Sequence, residues 1–245
     1  SKERQDQIEV VSSAFDSIVA DDLAYLTMPV TSGKRLYDLM RKYGVKSKEE
    51  LERKRPGALW QEVVLPNIEH GKKLAKIIHA KQGKPLIVPG IFDASKLHWS
   101  QNDYMVLWLR FITSSAKELY LAPEWQYTTG GVMEFVRGMM IMFHFASRAE
   151  PISMRDHDAF HVDLTSAAMA VASVIFELRK DGFEDARMTL QFQHIASIAF
   201  TLQHLARVDP RLNELHRSGA ERFSPYYVMS AAWELGIKPT NLILN

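Results

Sequence analysis

Three short apolar runs, each closed off by glycine or proline, constrain this chain more than any other feature. They cover residues 23–28, 85–89 and 119–122, bounded by Pro29 with Gly33, by Gly83 with Gly90, and by Pro123. Runs this short and continuously apolar suit strands covered on both faces. Helical spacing fills the gaps between them. The spacing predicts helices over 34–43, ended by Gly44, and over 68–80, ended near Gly83. It predicts another over 102–114, with Met105, Leu109 and Ile112 in register, and one over 130–147 after the third strand. Strand–helix alternation of this kind implies a three-layer α/β domain with a parallel sheet, Rossmann-like or flavodoxin-like. The charged stretch 46–55 reads as an inserted helix or a loop.

From residue 150 onward no strand is expected. Ser153-Met-Arg-Asp156 resembles a capping box and predicts a helix running to about Lys180, stopped by Gly182. Further helices are expected over 184–207 and 211–217. Ser224-Pro225 reads as a cap followed by proline at the first helical position, opening a helix that closes at Gly236. The expected organisation is therefore an α/β domain over residues 1–148 and an α-helical unit over 149–245, serving as a lid or in oligomerisation.

Composition narrows the chemistry. Among 245 residues there is no cysteine, which excludes disulfide frameworks, thiolate zinc sites and cysteine nucleophiles. Lys+Arg 30 against Asp+Glu 29 leaves a net charge of +1, so no nucleic-acid polymer is expected as a partner. The balance is uneven along the chain: residues 34–84 carry 14 basic and 6 acidic side chains, +8, against −7 elsewhere. No apolar stretch is long enough to span a bilayer, and residues 1–22 lack the apolar segment of a signal peptide. A cytoplasmic protein without a membrane partner is the expectation.

The stretch Leu119-Tyr-Leu-Ala-Pro-Glu-Trp-Gln-Tyr-Thr-Thr-Gly-Gly-Val-Met-Glu134 carries the most chemical information. A buried strand runs into an aromatic loop, then into a small-residue turn that opens a helix with Glu134 in its first turns. Ligands of open α/β sheets bind beyond the carboxyl ends of strands, and helix starts offer free backbone N–H groups. Gly138, one turn after the carboxylate, would leave room beside it. By spacing alone, Glu134 reads first as an acidic residue favoured near a helix start, ahead of a catalytic carboxylate. His157 and His161 lie four apart with aspartates nearby, but the His-Glu-x-x-His pattern is absent and a polar helix start is the expectation, with no metal site. His194 and His204 are expected at the edge of the core.

The order of these segments resembles the nucleoside 2-deoxyribosyltransferase-like superfamily over roughly residues 22–147. The residues that carry the resemblance are Tyr25-Leu-Thr-Met-Pro-Val-Thr-Ser-Gly33, Leu86-Ile-Val-Pro-Gly90, Asp103-Tyr-Met105, Ala122-Pro-Glu-Trp125 and Gly130-Gly-Val-Met-Glu134. The resemblance implies cleavage or transfer at the N-glycosidic bond of a nucleoside or nucleotide, without metal or organic cofactor. Glu134 would attack the anomeric carbon, as in a retaining glycosidase, and Tyr25 would orient its carboxylate. Thr129, Gly130 and Gly131 would hold sugar hydroxyls or a phosphate, and Trp125 and Tyr127 could stack on a base. Family members commonly complete their sites at subunit interfaces, so a homo-oligomer is implied.

Two departures stand out. Glu124 occupies a position where the family usually has glycine. The family's acidic partners fall here at Leu109 and Lys117. Either Asp103 or Asp93 takes that role, or the leaving group differs, or the protein is a catalytically inactive nucleotide-sensing module with a helical oligomerisation unit.

Overall fold

A computed structural model describes residues 2–17, 23–92, 97–143, 152–208 and 223–240. Four strands, β1 (Ala24–Thr27), β2 (Leu86–Ile87), β3 (Glu118–Leu121) and β4 (Ser153–Asp156), form an all-parallel sheet in the order β2-β1-β3-β4. The helices are α1 (Lys2–Ser17), α2 (Lys34–Tyr43), α3 (Lys48–Lys54), α4 (Leu65–Gln82), α5 (Gln101–Ser114), α6 (Thr129–Met142), α7 (Leu164–Lys180), α8 (Ala186–Val208) and α9 (Pro225–Glu234). The parallel sheet and the helices between its first three strands follow from the apolar runs and their glycine stops, and the architecture is α/β.

The central strands are buried on both sides, and side-chain alternation sorts them. Ala24, Leu26, Tyr120 and Ala122 join Leu74 and Ile78 of α4 in one small cluster. Tyr25, Leu119 and Leu121 face the larger core, with Trp108, Phe111 and Ile112 of α5 and Phe135 and Met139 of α6. The registers Tyr25↔Leu119 and Thr27↔Leu121 put the odd-numbered residues of both strands in line on this side.

The expectation for 153–180 is corrected. Ser153–Asp156 is not a capping box but β4, paired with β3 from Glu118↔Ser153 to Leu121↔Asp156. The helix begins ten residues later than expected, at Leu164, where Asp163 accepts from Ser166 N at 2.7 Å. The strand is polar and only partly covered, and Met154 is its one buried residue. Arg155 reaches back to Glu118 at 3.0 Å, and Asp156 Oδ1 accepts from the backbone of Asp158 and Phe160, turning the chain at once. The expected division at 148/149 thus falls between two paired strands. His157 and His161 sit in this turn rather than on a helix; His161 bridges back to Arg155.

Helix α1, which apolar spacing did not announce, packs on α5. Phe15 meets Trp108 and Phe111 with ring centroids 5.9 and 5.7 Å apart, and Arg110 pairs with Glu9. The charged stretch 46–55 is α3, capped by Ser47. A π-helical turn, Leu59–Val64, runs directly into α4, so that helix begins earlier than its spacing predicts. At the other end of the chain α8 packs against α6, and α9 against α7 and α8. Gly236, in the left-handed region at φ 69°, follows α9 as expected. The helix expected over 211–217 lies outside the described residues. No described helix is long and apolar enough to cross a membrane.

Candidate functional site

A cavity of about 500 Å³ opens beyond the carboxyl ends of β1 and β2 and beside the start of α6. That volume falls within the usual range for small-molecule sites, roughly 300–1,000 Å³. The stretch after β1 supplies Met28, Val30, Thr31 and Ser32; the turn after β2 supplies Pro89 to Phe92. Thr128, Gly130, Gly131 and Glu134 come from the start of α6. The strand order turns from one side of β1 to the other at this place, which is where parallel sheets leave a crevice.

Thr128 caps α6, accepting from Gly131 N at 2.8 Å and donating to Trp125 O at 3.0 Å. The resulting turn is too tight for a side chain at 131: a Cβ there would lie 2.6 Å from both Trp125 O and Thr128 Oγ1. One turn into the helix, Glu134 is only 5% exposed although it borders the cavity. Tyr25 Oη donates to Glu134 Oε1 at 2.6 Å, across 109 positions of sequence. Burial pushes the Glu134 carboxyl from 4.5 up to about 7, against the opposing pull of the Tyr25 hydrogen bond and of the nearby Thr27 hydroxyl. Burial and the adjacent carboxylate also raise Tyr25 well above its ordinary value, so its hydroxyl stays protonated and donates. Glu134 is thus a desolvated, oriented carboxyl whose charge switches near neutrality.

The other expected residues are placed as follows. Gly130 and Gly131 line the cavity, although the Gly131 N–H is already taken by Thr128. Thr129 points elsewhere and donates to Asp185 at 2.8 Å. Trp125 is buried against Phe135, ring centroids 4.8 Å apart, and Tyr127 donates to Glu177; neither lines the cavity. Asp103 does not line it either. Its carboxylate accepts from Ser100 N at 2.7 Å and from Ser100 Oγ at 2.6 Å in a complete capping box, and these bonds hold it below the usual range. Asp93 lies outside the described residues. Gly138 does not make room beside Glu134: a Cβ there would meet Met154 Sδ at 2.7 Å, so its smallness serves the packing of β4 on α6. Glu124, where the resemblance expects glycine, does adopt left-handed backbone, at φ 64° and ψ 14°. His194 is half-buried on α8, where burial lowers its pKa, and His204 is exposed.

Two walls of the cavity were missed in the sequence. One is a stripe on α5, Gln101, Tyr104, Met105 and Trp108, spaced i, i+3, i+4, i+7. The other is Trp60, Val64, Ile68 and Lys72, each four residues from the last along the π-turn and α4. Both spacings are visible in the sequence, but each reads there as a helix face with no indication of what it faces. Among the described residues that line the cavity, Glu134 is the one carboxylate and Lys72, paired with Glu69 at 2.9 Å, the one lysine. No group of three or more metal-ligating side chains occurs among the described residues.

No family model matches the chain, and neither a curated protein nor a solved structure matches it.

Proposed function

We propose that this chain cleaves or transfers the N-glycosidic bond of a nucleoside or nucleotide, with Glu134 as the nucleophile. The observation that carries the reading is the buried Glu134 carboxyl, oriented by Tyr25 and bordering a cavity at the carboxyl ends of parallel strands. The resemblance of the motifs around Tyr25 and Glu134 to the nucleoside 2-deoxyribosyltransferase-like superfamily supplies the bond. A carboxylate oxygen forms an ester with the anomeric carbon as the carbon–nitrogen bond breaks, and the electron pair leaves with the base nitrogen, which takes a proton. Water or a second base then attacks the same carbon and gives up a proton, balancing the one taken by the leaving base. The carbon–oxygen bond breaks to free the Glu134 carboxylate. The aromatic wall of Trp60, Phe92, Tyr104 and Trp108, rather than Trp125, is the surface on which a base would stack.

Chromatography of free base after incubation with a panel of nucleosides and 5′-monophosphates tests this. Wild type is expected to release base from at least one of them. Glu134→Gln is expected to lose the activity by on the order of 10³-fold or more. No base from any member of the panel overturns the proposal. The capping role of Asp103 favours a second reading, a nucleotide-binding module without turnover. That reading predicts a ligand-dependent rise in Tm with no base released.

A further inference from the structure

On β1, Tyr25 and Thr27 stand two residues apart and therefore point to the same side of the sheet, the side covered by α6. Tyr25 already holds one oxygen of Glu134, Oε1. Thr27 is fully buried, and its methyl group faces the start of α6, 3.3 Å from where a Cβ on Gly131 would be. Its hydroxyl makes no hydrogen bond of ordinary geometry, whereas buried hydroxyls normally find a partner. It nevertheless lies close enough to Glu134 to favour the ionised carboxyl. Ser12 and Ser153 are also buried without a partner among the described residues, but neither acts on Glu134.

A neutral carboxyl needs few donors, while a carboxylate offers four lone-pair positions on two oxygens. A hydroxyl that rotates freely about one bond can stay idle beside the first and donate to the second. We infer that Thr27 is a positioning residue for Glu134: on ionisation its hydroxyl turns to donate to Oε2, so that β1 grips the nucleophile with two donors, Tyr25 on one oxygen and Thr27 on the other. This rests on Glu134 being the reacting carboxylate. The two grips differ in character. Tyr25 is bonded in either protonation state, whereas Thr27 engages only the charged form and so favours the state that attacks. The other titratable groups bordering the cavity are Tyr104 of α5 and Lys72 of α4. Burial, Tyr25 and Thr27 together set the ionisation of Glu134, and no charge on α6 itself, α8 or β4 is among its causes.

The test reads the carboxyl directly, so that it does not depend on finding a substrate. In full-length protein labelled with carboxyl-¹³C glutamate, the Glu134 signal is assigned by its loss in Glu134→Gln and titrated in wild type, Thr27→Val and Thr27→Ser. Thr27→Val keeps shape and removes the donor; its midpoint is expected to rise by about one pH unit. Thr27→Ser restores the donor and is expected to return the midpoint to within a few tenths of wild type. Thr27→Ala, which removes the hydroxyl with less bulk, is expected to match Thr27→Val. Where base release is measurable, the acid limb of kcat/KM should move with the carboxyl midpoint. An unchanged midpoint in Thr27→Val and Thr27→Ala, or a Thr27→Ser midpoint equal to theirs, overturns the inference. A purely structural role would move Tm and leave the midpoint where it is. Absence of turnover in every variant would count against the nucleophile proposal and leave the titration to decide the role of Thr27.

Discussion

At the scale of single residues, the burial of Glu134 ties its ionisation to stability. Its carboxyl is raised from 4.5 to about 7 in the folded chain, so the folded state keeps a proton that the unfolded chain gives up at lower pH. Stability is therefore undiminished below pH 4.5, falls as pH rises toward 7, and levels off above it. The full loss corresponds to about 3 kcal/mol. Glutamine at this position still accepts from Tyr25 but never ionises. Glu134→Gln is expected to match wild type closely at pH 5 and to exceed it by up to about 3 kcal/mol at pH 8, read by denaturant unfolding at the two pH values. An equal gap at both would mean that Glu134 ionises as an ordinary carboxylate. On the proposed function, base release is expected to rise with pH through about 7, opposite in sign to the stability.

At the scale of elements, Asp103 illustrates how a chemically suggestive acid can be consumed by its own helix. The box between Ser100 and Asp103 satisfies donors at the start of α5, and α5 supplies the cavity wall of Gln101, Tyr104, Met105 and Trp108. Asp103→Ala is expected to fray that start and lower Tm by roughly 2–4 °C. It should leave the rate of base release within a few-fold of wild type, because the side chain does not border the cavity. A loss of several orders of magnitude in kcat with Tm unchanged would return Asp103 to the chemistry. The element with the opposite history is β4. Its polar sequence reads as a helix start, yet its backbone completes the sheet, and Met154 fills the space that Gly138 leaves on α6.

At the scale of the whole molecule, one buried cluster runs from Ile8 of α1 to Ile237 beyond α9. Polar ties cross the same boundary. Arg41 of α2 holds Glu177 of α7 at 2.7 Å and Asp181 at 2.6 Å, and Thr129 at the start of α6 is tied to Asp185 before α8. Residues 1–148 alone would leave the β4 side of β3 unpaired and expose the face of α6 that α8 covers. That piece is expected to melt without a cooperative transition, while the full chain unfolds in one, as followed by near- and far-UV circular dichroism. A native-like near-UV spectrum and a sharp melt from 1–148 would establish an independent domain.

What could be read from the sequence alone is what local periodicity reports. Strands β1 to β3 announce themselves as short apolar runs closed by glycine or proline, although only β1 and β3 are buried on both faces and β2 is a half-buried edge. Helices α2, α4, α6 and α9 are legible from the glycine, proline or small residues that bound them, and α5 from the helical register of Met105, Leu109 and Ile112. Tyr25 and Glu134 were singled out through the order of motifs around them, whereas the hydrogen bond that joins them across 109 positions is set by the fold. Tertiary structure decided the rest. The polar strand β4 is held by backbone hydrogen bonds to β3, which leave no apolar pattern to find. The cavity walls come from side chains that face one another only after α4 and α5 have packed around the sheet. Whether an acid such as Asp103 serves a site or a helix start depends on distances between its oxygens and their donors, and spacing along the chain does not encode them.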